Sequence, residues 1–115
     1  MSRVMLTASE ARLKALQDIY VLREIRDLEE EIILAAADGA VEVVVSTSST
    51  MAKNPTDTGY ALATEYFNTW TGVNDDRQKR LQMAKVIQYF SDLGYTIERQ
   101  INSTSQTTFQ WVIAW

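Results

Sequence analysis

Phe109-Gln110-Trp111-Val112-Ile113-Ala114-Trp115, the last seven residues, decide the fold. Phe109, Trp111, Ile113 and Trp115 alternate with Gln110, Val112 and Ala114, the period-two pattern of a strand with one heavily apolar face. A chain end frays unless something ties it down. This one is expected to be locked into a sheet, against a partner, or both. Upstream, Tyr95 to Ile101 alternates again, with Tyr95, Ile97 and Ile101 on one face. Asn102-Ser103-Thr104-Ser105 is the turn between the two strands, and the last strand is expected to run from Gln106 to Trp115. Residues Val41 to Thr47 form a further alternating stretch.

The remainder reads as helix. Asp75 with Gln78 has the spacing of a capping box opening a helix that Gly94 closes, with Met83, Val86, Ile87, Phe90 and Leu93 at helical spacing. A preceding helix runs from about Tyr60 to Trp70, with Ala63, Tyr66, Phe67 and Trp70 on one face. Thr7 with Glu10 opens a longer helical pattern that reaches Asp38 and stops at Gly39. The order is α–β–α–α–β–β. It predicts a single α+β domain over residues 1–115: a long N-terminal helix, a small three-stranded, mostly antiparallel sheet with a C-terminal β-hairpin, and two further helices packed on it.

The long helix is the unusual element. Unbroken from 7 to 38 it would measure about 46 Å at 1.5 Å per residue, against about 35 Å for a compact domain of this size. Its apolar residues form two stripes, Leu6/Leu13/Leu16/Tyr20 and Val21/Ile25/Leu28/Ile32/Ala35, roughly 90° apart on a straight helix. Either the helix breaks near residues 19–22, or one stripe packs on its own sheet and the other on a neighbouring chain. The expected partner contacts are therefore Val21, Ile25, Leu28 and Ile32 on the second stripe, Lys53 and Asn54 in the polar loop after the first strand, and Trp115 as an end-of-chain anchor.

Composition narrows the chemistry. The 115 residues are 46% apolar and 23% charged, as in ordinary globular proteins. A net charge of −4 argues against a general nucleic-acid surface or an anionic membrane as partner. With no cysteine and no histidine, the thiolate nucleophile, the Cys metal site and the imidazole base are all missing. No apolar run approaches the roughly 18 residues of a membrane span, and Met1 to Leu6 lacks a secretory apolar core. A protein made in a cytoplasm, or carried in a particle assembled there, is the expectation.

The remaining candidates each have an ordinary reading. Asp27 and Glu29-Glu30-Glu31 could suggest a carboxylate metal site, but consecutive helical residues diverge, and Arg23 and Arg26 stand at pairing distance in sequence. Arg77, Lys79, Arg80 and Lys85 form the basic cluster, a solvated helix face or one that steers assembly toward an acidic protein patch. A serine nucleophile in the loop 46–58 would have only Lys53 nearby as its base. No catalytic residue, cofactor or metal ligand is assigned.

The second half, in Glu65-Tyr66-Phe67-Asn68-Thr69-Trp70, Val86-Ile87-Gln88-Tyr89-Phe90, Leu93-Gly94-Tyr95-Thr96-Ile97 and Phe109-Gln110-Trp111, resembles small proteins of tailed bacteriophages, especially those infecting cyanobacteria. Ala36-Ala37-Asp38-Gly39 with Val41-Glu42-Val43 and Ser49-Thr50-Met51 is similar too, so the resemblance covers about residues 25 to 115. Its motifs are aromatic and structural, and no active-site residue carries over. The resemblance implies a virion component: a head, neck or tail accessory subunit, not an enzyme, that binds other copies of itself and other virion proteins. A small phage-encoded adaptor that binds and modulates one host protein is the alternative.

Overall fold

A computed structural model of the chain describes residues 18–53 and 60–115. The elements are α1 (Ile19–Ala37), β1 (Glu42–Val45), α2 (Tyr60–Thr71), α3 (Arg77–Asp92), β2 (Thr96–Ile101) and β3 (Phe109–Ala114). The α+β architecture and the C-terminal hairpin are as the residue pattern predicts.

β3 is the central strand. It pairs antiparallel with β1 on one side and β2 on the other, giving the order β1-β3-β2. The register sets Trp111 between Val45 and Arg99, and Ile113 between Val43 and Ile97. Side chains alternate across a strand, so Phe109, Trp111 and Ile113 all point under the helices and are fully buried. On the opposite face Glu42, Val44, Thr96, Glu98 and Gln100 are exposed. The helices therefore cover one face of the sheet, and the core lies between that face and α1, α2 and α3. The chain end is tied in by Trp115, whose backbone N–H donates to Val41 O at 3.0 Å. The last strand is shorter than its alternation suggests, because residues 102–108 form a tight polar turn. Asn102 Oδ1 accepts from Thr104 N at 2.9 Å and Ser105 N at 3.3 Å, and Gln106 takes a left-handed φ of 58°.

Aspartate caps set two of the helix starts. The extended backbone (ψ 116°) and carboxylate of Asp18 cap a helix that begins at Ile19, in the span 19–22 where a break is one of the two expected outcomes. Asp18 Oδ1 accepts from Tyr20 N at 3.0 Å and Val21 N at 3.3 Å, the ordinary work of an N-cap. The Thr7/Glu10 box and the Leu6/Leu13/Leu16 stripe lie outside the described residues. α3 is capped by Asp76 rather than Asp75: Asp76 Oδ1 accepts from Lys79 N at 3.1 Å, while Asp75 pairs with Arg80 at 3.4 Å. α1 ends at Gly39, where φ is 85° and the amide donates to Ala36 O at 2.9 Å.

Replacing Ile113 by Ala should lower stability by roughly 2–5 kcal/mol, the usual range for truncating a fully buried aliphatic side chain. Replacing Thr96 by Ala on the open face should change it by about 0.5 kcal/mol or less. Urea unfolding of the two variants checks the assignment of inner and outer faces.

Candidate functional site

The stripe expected to face a neighbour faces inward. Val21 and Leu28 are wholly buried, and Ile25 and Ile32 nearly so, all within the chain's own core. Their assignment as partner contacts is corrected for a simple reason. Helix α1 lies against β1 and α3, and these residues fill the space between them. Lys53 is half-buried in the stretch after β1, and Asn54 lies outside the described residues. Among the described residues of that set, Trp115 is the one that keeps a large apolar side chain in the open, 38% exposed.

Within the α1 stripe sits a residue that periodicity passed over. Glu24 is one turn from Val21 and from Leu28, and is fully buried. Its two oxygens collect four donors. Oε1 accepts from Thr50 N at 3.0 Å and Met51 N at 3.4 Å. Oε2 accepts from Trp111 Nε1 at 2.8 Å and from the Ser49 hydroxyl. Ser49 Oγ in turn accepts from Ala52 N at 3.0 Å. One carboxyl group therefore binds α1, the loop after β1 and the central strand together. Ser48 Oγ adds a bond to Glu31 Oε1 at 2.8 Å on the same helix.

Ser49 beside Glu24 has the outline of a nucleophile and base, but both are sealed at zero exposure and present no atom to a substrate. The signal for this site was available: a charged residue inside an apolar stripe, and a buried tryptophan whose N–H needs an acceptor. Burial pushes the Glu24 pKa above its ordinary value of 4.5, and the bonds from Ser49, Trp111 and Met51 pull against that without cancelling it. The remaining acids of α1 diverge. Asp27 and Glu31 face the loop side, where Lys53 acts on Asp27, while Glu29 accepts from Tyr89 Oη at 3.4 Å. No cluster of three such groups fit for a metal ion occurs among the described residues.

The feature open to a partner lies at the other end of α1. A groove of about 250 Å³ is lined by Glu29, Ile32, Ile33, Phe90, Leu93 and Tyr95, between the C-terminal turns of α1 and α3. Its rim is apolar and exposed: Ile33 shows 67% of its surface and Leu93 51%. Leu93, expected on the buried face of its helix, caps α3 and turns outward instead. The surface continues past the groove. The Tyr95 ring meets Trp115 edge-on at 6.2 Å, and the Trp115 backbone is bonded to Val41, itself 67% exposed. Among the described residues, Glu29 is the one charged residue lining the groove. Comparison of the chain with protein-family models, curated proteins and solved structures finds no match.

The Glu24 carboxyl has a pH signature. Its folded-state pKa is raised, so above pH 4.5 the folded chain holds a proton that the unfolded chain has released. Its contribution to stability is therefore fully present below pH 4.5 and is lost as pH rises through the folded pKa. Glu24→Gln cannot satisfy four donors, because its amide nitrogen opposes either Trp111 Nε1 or two backbone amides. It should cost roughly 1–3 kcal/mol. The wild-type advantage over Glu24→Gln, measured by urea unfolding from pH 4 upward, should shrink as pH rises.

Proposed function

We propose that this protein is a phage virion structural subunit, a head, neck or tail accessory component that works by protein–protein assembly and not by catalysis. One observation carries the reading: the exposed side chains of Ile33 and Leu93 at a groove, linked through half-buried Tyr95 to exposed Trp115 and Val41. Apolar surface gathered in one place, beside a pocket, is what protein interfaces use and what isolated soluble surfaces avoid. The Glu24 cluster supports it from behind, since α1 must be held rigidly for its last turns to form one wall of the groove.

The viral setting comes from the resemblance of residues 25–115 to tailed-phage proteins, and the partners proposed are other copies of the chain and other virion proteins. Its place is the particle, assembled in the host cytoplasm. Neither nucleic acid nor membrane is proposed as a partner. None of the described helices is long and apolar enough to cross a membrane.

Mass spectrometry of purified particles of the encoding phage tests the proposal. The chain should be present in many copies per particle and remain after density-gradient washing. Absence from particles, together with recovery in a complex with one host protein from infected cells, would instead identify an adaptor.

A further inference from the structure

The groove between α1 and α3 has a charge and a shape, and the same chain displays a surface that complements both. On the exposed face of α3, Leu81 stands with 45% of its surface open. Arg77 and Lys85 lie one turn to either side of it on the same face, both exposed. Leu81 is thus an apolar side chain bracketed by two cations. The groove is the reverse: an apolar cleft in which Glu29 is the one charged residue among the described lining residues. The other basic residues of the cluster are engaged locally. Lys79 pairs with Asp76 at 3.0 Å and Glu65 at 3.4 Å, and Arg80 with Asp75. Arg77 and Lys85 are the two cations that flank the leucine.

We infer that the groove receives α3 of a second copy of this chain, with Leu81 seated among Ile33, Leu93 and Tyr95 and the flanking cations drawn to Glu29. This rests on the assembly reading above and names the partner of that surface. Leu81 and Leu93 are separated by about 18 Å along α3, twelve residues at 1.5 Å each. A chain cannot fill its own groove with its own leucine across that distance on one rigid helix. The junction therefore needs a neighbour. Two reciprocal junctions close a dimer, and one-way junctions continue into a ring or filament. The charged flanks set the orientation and speed the encounter, so added salt weakens the contact.

A charge exchange tests this on the full chain. Light scattering on a sizing column should give wild-type protein a mass that is a multiple of 13.1 kDa and rises with concentration. Glu29→Lys alone, and Arg77→Glu with Lys85→Glu, should each weaken association about tenfold or more through like-charge contact. Mixed together, the two variants should associate again, because each groove then meets a flank of opposite sign. Leu81→Asp, at an exposed position, should also dissociate the protein while its circular dichroism spectrum stays that of the folded wild-type chain.

Wild-type chain that stays at 13.1 kDa at millimolar concentration overturns the inference. So does a mixture that associates no better than its parts. Either result leaves the assembly reading to the particle measurement, which reads the presence of the chain and not its self-contact.

Discussion

The Trp111 indole N–H bonded to the Glu24 carboxyl, with both groups fully enclosed, is the contact on which the rest of the structure depends. Each group would be a liability alone. A buried carboxyl needs donors, and a buried indole needs an acceptor. Together with Ser49, Thr50 and Met51 they form a closed set in which every partner is satisfied. A closed polar set of this kind specifies position more sharply than apolar packing does, because a shift of one residue leaves several buried groups unpaired. It sets the rotation of α1 on the sheet and draws the loop after β1 against the helix. It also holds β3 at the centre of the fold.

The consequence reaches the surface. With Val21, Ile25, Leu28 and Ile32 turned inward by that rotation, Glu29 and Ile33 are delivered to the side of α1 that faces the end of α3. Gly94 ends α3 with φ 96°, so that Leu93 turns out and Tyr95 enters β2 beneath it. The groove is therefore a product of two helix ends, each fixed by its cap. Its floor is core, in Ile32 and Phe90, while Ile33 and Leu93 beside it stand outside the core and in the open. The open outer face of the sheet is different in character: Glu42, Glu98 and Gln100 break up its apolar content, as strands facing water commonly require.

Much of this fold was legible because its strands and helices differ in period. Trp111 and Ile113 could only be inner-face residues of a strand, and Met83, Val86 and Phe90 only the buried face of a helix. The α1 stripe was legible as a stripe but not as to what it covers. Periodicity reports that a face is apolar and is silent on whether the chain itself or a neighbour buries it. The helical pattern over 7–38 left two outcomes open, a break near residues 19–22 or a protrusion, and the helix of the described residues begins at Ile19 under the Asp18 cap.

The partners of Glu24 were hidden for a related reason. In sequence Glu24 is one acid among many on a charged helix, and the donors that satisfy it arrive from positions 25, 26, 27 and 87 residues away. The groove was hidden likewise, since Leu93 keeps helical spacing while its backbone has already left the helix.

Hydrogen exchange followed by NMR reads the central contact most directly. If Glu24 holds the loop and the central strand as described, the Trp111 indole N–H and the Thr50 and Met51 amides should exchange only through global unfolding, while the Trp115 indole exchanges freely. Trp111, Thr50 and Met51 protons that exchange as fast as that of Trp115 would contradict it.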